Sequence, residues 1–189
     1  MEDLISYTEH LVNQEQEKSL IEEAKNNPQR FKPLYEKYYE RIYKFLLKRH
    51  TNLDIAESLT SDTFFKAITK LKKFKQKGAP FSAWLYRIAL NESNMYFRKQ
   101  KKKQTLLLNE DVVQSLSEEI KLTEHVDDFK PVEHAFKKIK KHELELLQLR
   151  FYESLSFKEI GQILAITENN AKVRCYRILD KIRIAIEES

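Results

Sequence analysis

The chain has 189 residues, 41% hydrophobic and 33% charged, with two glycines, one cysteine and a formal net charge of +5. A single cysteine excludes an internal disulfide, no apolar run approaches the ~20 residues of a membrane span, and the acidic start "MEDLISYTEH" lacks the basic segment of a signal peptide. A cytoplasmic, all-α protein is expected, because alternation of Val, Ile and Thr is nowhere sustained and only Gly78 and Gly161 could relieve tight turns.

Residues 1–27 read as a polar helical extension that ends where Asn26, Asn27 and Pro28 punctuate the chain. From Phe31, the residues Leu34, Tyr38, Ile42, Phe45 and Leu46 recur at three- and four-residue steps, which predicts a helix with one buried face as far as "RHTNLD". A second amphipathic helix carries Ile55, Leu59, Phe64, Ala67, Ile68 and Leu71, and the lysine-rich loop "KKFKQKGAP" follows it. A third helix runs from Phe81 to about Lys103. Most of its circumference is apolar, whereas Arg87, Asn91, Asn94 and Arg98, at i, i+4, i+7 and i+11, form one polar stripe with Trp84 at its edge.

Residues 104–130 have weak periodicity and acidic clusters and are expected to form a linker between a domain at 28–103 and a second at 131–189. Pro131 suits a first helical turn, and "VEHAFKKIKKHELELLQLRFYESLS" predicts two helices with Ile139, Leu144, Leu147 and Phe151 as core. Ser156 and Glu159 have capping-box spacing for a short helix. After "ITENN", Thr167 caps a last helix that runs to about Glu187. There Ala171, Cys175, Ile178 and Ile182 form the inner stripe, which leaves Asn169, Asn170, Lys172, Val173, Arg174, Tyr176 and Arg177 outside. Two short helices joined by a tight turn, the second displaying amides, guanidinium groups and an apolar side chain, make a helix-turn-helix pattern suited to base edges in a major groove.

Charge is distributed in blocks: 21 Lys+Arg against 13 Asp+Glu in residues 1–105, 2 against 7 in 106–130, and 11 against 9 in 131–189. Between Lys66 and Lys103, twelve cationic side chains face one anion, Glu92, a density that attracts a polyanion. Aromatic groups beside cations also hold unpaired bases by stacking. No glycine-rich phosphate loop, activated nucleophile, metal-ligand spacing or cofactor motif accompanies these features, so no enzymatic activity, metal site or cofactor is expected.

The stretch "AESLTSDTFFKAITKLKKFKQKGAPFSAWLYRIALNESNMYFRKQKKK", followed after the linker by "LLQLRFYESLSFKEIGQILAITENNAKVRCYRILDKIR", resembles the second and fourth regions of extracytoplasmic-function (ECF) sigma factors of the sigma-70 family. The resemblance implies a sigma-2 helical bundle and a sigma-4 helix-turn-helix domain. It implies that Leu59, Asp62, Phe64, Phe65 and Lys66 contact core RNA polymerase. On the same ground, Phe74, Lys75, Lys77, Trp84, Arg87, Asn91 and Arg98 would recognise and melt the minus-ten element, and the outer residues of the last helix would read the minus-thirty-five element. Core RNA polymerase and promoter DNA are the implied partners, and family members are commonly held by an anti-sigma factor. Ser58 and Ala165 depart from the family pattern, which usually has an acidic residue and a turn glycine there. Two rival readings are a one-component helix-turn-helix regulator binding duplex operator DNA and a helical protein binding RNA without sequence preference.

Overall fold

The computed structural model describes residues 15–75, 80–100, 135–136 and 139–187. The expected linker at 104–130, Lys77, Gly78 and Lys101 to Lys103 lie outside the described residues.

Helix α1 (residues 15–26) buries Glu17, Ile21 and Ala24 on one stripe. The Glu17 carboxylate accepts hydrogen bonds from the Tyr38 hydroxyl and from Lys37 Nζ, so its burial is compensated. Asn27 Oδ1 then accepts from Gln29 N at 3.0 Å and starts a 3₁₀ turn, Pro28–Phe31. Helix α2 (Lys32–His50) ends where Thr51 turns left-handed at φ 54°, and Asn52 Oδ1 caps α3 (Leu53–Lys70) through Ile55 N at 2.9 Å. In α3, Thr60 and Thr63 are buried because each hydroxyl donates to a carbonyl one turn back, Ala56 O and Leu59 O. Helix α4 (Phe81–Gln100) closes the bundle, with α2 against both α3 and α4.

Aromatic rings fill the middle. Phe81 meets Phe31 at 6.4 Å, Tyr38 at 5.7 Å and Phe74 at 5.5 Å, in edge-on or tilted geometries that suit the ring quadrupoles. Tyr86 stands edge-on to Phe45 at 5.1 Å.

Toward the C-terminus, α5 (Lys141–Leu147) runs into a wider π-type turn at Gln148–Tyr152. The expected capping box on α6 (Phe157–Leu164) is present: Ser156 Oγ accepts from Glu159 N, and the Glu159 carboxylate accepts from Ser156 N at 2.9 Å. Helix α6 stops at Ala165, whose left-handed backbone (φ 57°, ψ 44°) makes the turn without a glycine. Gly161 is needed one turn earlier, because a Cβ there would lie 2.8 Å from Ile166 O. Thr167 Oγ1 accepts from Asn170 N at 3.2 Å at the start of α7 (Glu168–Glu187), where Ala171, Cys175, Ile178 and Ile182 are all buried. Of the four core positions expected between 139 and 151, Leu144 and Leu147 are buried, while Ile139 and Phe151 are only half-buried.

The C-terminal helices do not stand apart from the bundle. Helix α6 lies against α4 on one side and α7 on the other, and the buried apolar residues of both units form one continuous cluster.

Candidate nucleic-acid and polymerase interfaces

Helix α7 turns the two halves of its circumference in opposite directions. Opposite the buried stripe, Asn169, Asn170, Lys172, Val173, Arg174, Tyr176 and Arg177 are all exposed. Val173 at 39% and Tyr176 at 41% exposure put an apolar and an aromatic side chain on this otherwise polar face. Neighbours hold part of this face in order: Arg174 Nε donates to Asn170 Oδ1 at 2.8 Å, and Tyr176 leans on Phe157 of α6 at 6.2 Å. Phe157 in turn carries the Arg150 guanidinium over its ring at 4.9 Å. The arrangement offers donors, acceptors and an apolar contact together, the set needed for base edges.

On α4, Arg87, Asn91 and Arg98 are exposed, and Trp84 is half-buried at the edge of their stripe. Trp84 packs on Phe74 at 4.9 Å and on Phe81 at 5.5 Å, so one side of the indole rests on the core. Phe74 itself is buried. Its ring lies behind Trp84 rather than on the surface. Lys75 is exposed beside it. The stripe's fourth member, Asn94, is half-buried because its Oδ1 accepts from Arg49 Nη2 at 3.3 Å.

The surface of α3 separates the residues expected to meet polymerase. Asp62 and Phe65 face outward, Phe65 at 68% exposure, whereas Leu59 and Phe64 are core residues. Little of Leu59 or Phe64 therefore reaches the surface on which Asp62 and Phe65 stand. Lys66 is half-buried and donates to the Glu92 carboxylate of α4, the one anion of the cationic segment, so it joins two helices. Next to Phe65's neighbour Phe64 lies an aromatic row that sequence reasoning missed: Tyr35 meets Phe64 at 4.8 Å and Tyr39 at 5.1 Å, and Tyr39 stacks on Tyr43 at 6.1 Å. Its signal is the spacing of four along α2, on the flank of the buried face.

A second missed group surrounds Arg49, whose guanidinium is fully buried. Nε donates to Ser93 Oγ at 2.9 Å, Nη1 to Gln148 Oε1 at 2.6 Å, and Nη2 pairs with Glu145 at 3.8 Å. Burial pulls the Arg49 pKa down to about 10, against which Glu145 acts in the opposite sense. His50 lies stacked on Phe97 at 4.4 Å, and burial together with the Arg49 charge lowers its pKa to about 4. It is thus neutral, and Ser93 Oγ, 2.9 Å away and already accepting from Arg49, has its hydroxyl hydrogen left for His50 Nε2.

Residues 34–103 match the family description Sigma-70 region 2, and residues 135–183 match Sigma-70, region 4. The chain is 26% identical over 152 residues to the ECF RNA polymerase sigma factor SigM of Bacillus subtilis, covering 79% of this chain and 91% of that one. With RNA polymerase sigma factor YlaC of the same organism it shares 28% over 148 residues, covering 76% and 84%. Among solved structures, CnrH in complex with the cytosolic domain of CnrY superimposes with a TM-score of 0.58 at 18% identity over 90% of this chain and 96% of that one. RpoE in complex with the anti-sigma factor NepR from Bartonella quintana gives 0.56 at 19% identity, over 83% and 96%. Helices and family regions coincide: α2 to α4 carry region 2, and α5 to α7 carry region 4. This chain belongs to the sigma-70 family, in its extracytoplasmic-function group. It is a transcription initiation sigma factor.

Proposed function

We propose that this sigma factor divides promoter work between its two units: region 2 (28–103) binds core RNA polymerase and opens the minus-ten element, and region 4 (131–189) reads the minus-thirty-five element. Residues 1–27 form an extension, and 104–130 a linker acidic enough to occupy channels built for nucleic acid. The observation that carries the reading is the continuous exposed face of α7 opposite a wholly buried stripe. In this division Lys172, Val173, Tyr176 and Arg177 meet bases, and Asn169, Asn170 and Arg174 flank them. Trp84, Arg87, Asn91 and Arg98, with Lys75 and Lys77 alongside, accept the displaced strand. Asp62 and Phe65 form the exposed part of the polymerase contact, with Leu59, Phe64 and Lys66 fixing it from within.

Such a protein does no chemistry and needs no cofactor; binding energy favours melted over paired DNA, an equilibrium shift. Working with polymerase places it in the cytoplasm, and no described helix is long and apolar enough to cross a membrane. The solved relatives named with CnrY and with NepR support an anti-sigma partner for this chain as well. Run-off transcription with purified core polymerase on a promoter library tests the proposal. Promoter-specific transcripts are expected; their absence, together with palindromic footprints by the protein alone, would favour the operator-binding regulator.

A further inference from the structure

The exposed half of α7 is itself divided. Around the helix, Val173 stands at the centre of that half, with Tyr176 on one flank and Asn170, Arg174 and Arg177 on the other. On the polar flank the Asn170 amide oxygen already accepts from Arg174 Nε, so this pair presents N–H groups outward. A bidentate grip on adenine needs that oxygen as an acceptor, whereas donors alone suit guanine O6 and N7 or a phosphate. The flank of Val173 and Tyr176 offers mainly hydrocarbon. Of the four ordinary bases, thymine alone shows hydrocarbon in the major groove, at its C5 methyl.

The apolar flank is also held in place from outside α7. Tyr176 meets Phe157 at 6.2 Å with the rings tilted by 48°. Phe157 is the first residue of α6, half-buried, and the capping box of Ser156 and Glu159 fixes the backbone on either side of it. The Arg150 guanidinium covers the Phe157 ring, and its Nη1 also donates to Leu155 O at 3.3 Å. That second bond ties the ring to the turn before α6, where Ser154 is left-handed at φ 51°, Leu155 is buried and Leu155 N donates to Leu149 O at 3.1 Å. Contacts therefore run without a break from the turn through Arg150 and Phe157 to Tyr176. An aromatic side chain ordered in this way before DNA arrives loses less freedom on binding, so more of its contact appears as affinity.

Resting on the reading of α7 as the helix that meets the minus-thirty-five element, we infer that Val173 and Tyr176 form a site for a thymine methyl group and that Phe157, held by Arg150, is its positioning residue. The full chain assembled with core polymerase, on a promoter selected from a random library, provides the test. Each thymine of the minus-thirty-five element is replaced singly by uracil, which removes the methyl and nothing else, and closed-complex affinity is measured. At one thymine or more the affinity should fall about 4-fold, the worth of one methyl group taken out of water. Val173→Ala and Tyr176→Ala, at exposed positions, should reduce that thymine-to-uracil ratio below ~2, while Tyr176→Phe keeps it. Phe157→Leu should lower the ratio likewise and Phe157→Tyr preserve it. A merely structural role for Phe157 would weaken the thymine and uracil duplexes equally and leave the ratio intact, which would overturn its positioning role. A ratio of about 1 at every thymine overturns the inference, as does a ratio that Val173→Ala and Tyr176→Ala do not move. If Arg177→Ala still weakens binding to the element in either case, the reading of α7 survives and the methyl site alone fails. Should Arg177→Ala also leave that affinity unchanged, the α7 reading itself has failed and the methyl site with it.

Discussion

The two helices proposed to face DNA, α4 and α7, are each 20 residues long, yet they expose themselves differently. Helix α7 is amphipathic in the simple sense, one stripe in and the rest out. Helix α4 lies between α2, α3 and α6, so its free surface is reduced to a strip, one member of which is engaged by Arg49. The lesson is that a helix used on a preformed duplex can sit at the edge of its domain. One meant to capture a flipped base needs a rigid floor beneath the aromatic group that meets it.

That contrast leads to graded expectations. Phe81→Ala removes the ring on which Trp84, Phe74 and Phe31 converge, and should lower the free energy of unfolding by about 3–5 kcal/mol in urea titrations. Trp84→Ala and Arg177→Ala should separate the two faces. Arg177→Ala should weaken closed-complex affinity on a minus-thirty-five-containing duplex by about 1–3 kcal/mol while leaving the opening rate of formed complexes unchanged. Trp84→Ala should do the reverse, seen as loss of permanganate-reactive thymines; equal effects of both on closed-complex affinity would contradict the division.

A smaller effect comes from His50. Its pKa is about 4 in the folded protein against the ordinary 6.5, so the unfolded chain binds the extra proton first. Stability is therefore complete above pH 6.5 and falls as pH drops toward 4. With His50 half-buried and screened, the loss attributable to it between pH 7 and pH 5 should be about 1 kcal/mol, absent in His50→Gln, with denaturant titrations of both proteins as the check. Smallest of all, Ala165→Gly relieves a left-handed alanine at the end of α6 and should raise the melting temperature slightly, worth about 0.5 kcal/mol. This change leaves α7's face intact.

Much of the region 4 unit was legible because its rules are local. Ser156 with Glu159 and Thr167 satisfy orphan N–H groups a few residues away, and the spacing Ala171, Cys175, Ile178, Ile182 names the buried side of a helix with one buried face. Helix α4 was legible only as a stripe. Periodicity could not say that Phe74 would lie behind Trp84, that Leu59 and Phe64 would turn inward while Phe65 turned out, or that Lys66 would reach Glu92 across 26 residues. Each of those depends on which helix happens to lie opposite.

Composition, capping residues and the 3.6-residue period were enough for an all-helical chain, its helix ends and the outward face of α7, since these follow from hydrogen bonds and burial within one or two turns. The burial of Arg49 was beyond their reach. A guanidinium at the end of an ordinary helix carries no local mark of its fate; contacts with Gln148, 99 residues away, and with Glu145 bring it out of water, and they arise only when α5 and the π-type turn dock on α2 and α4.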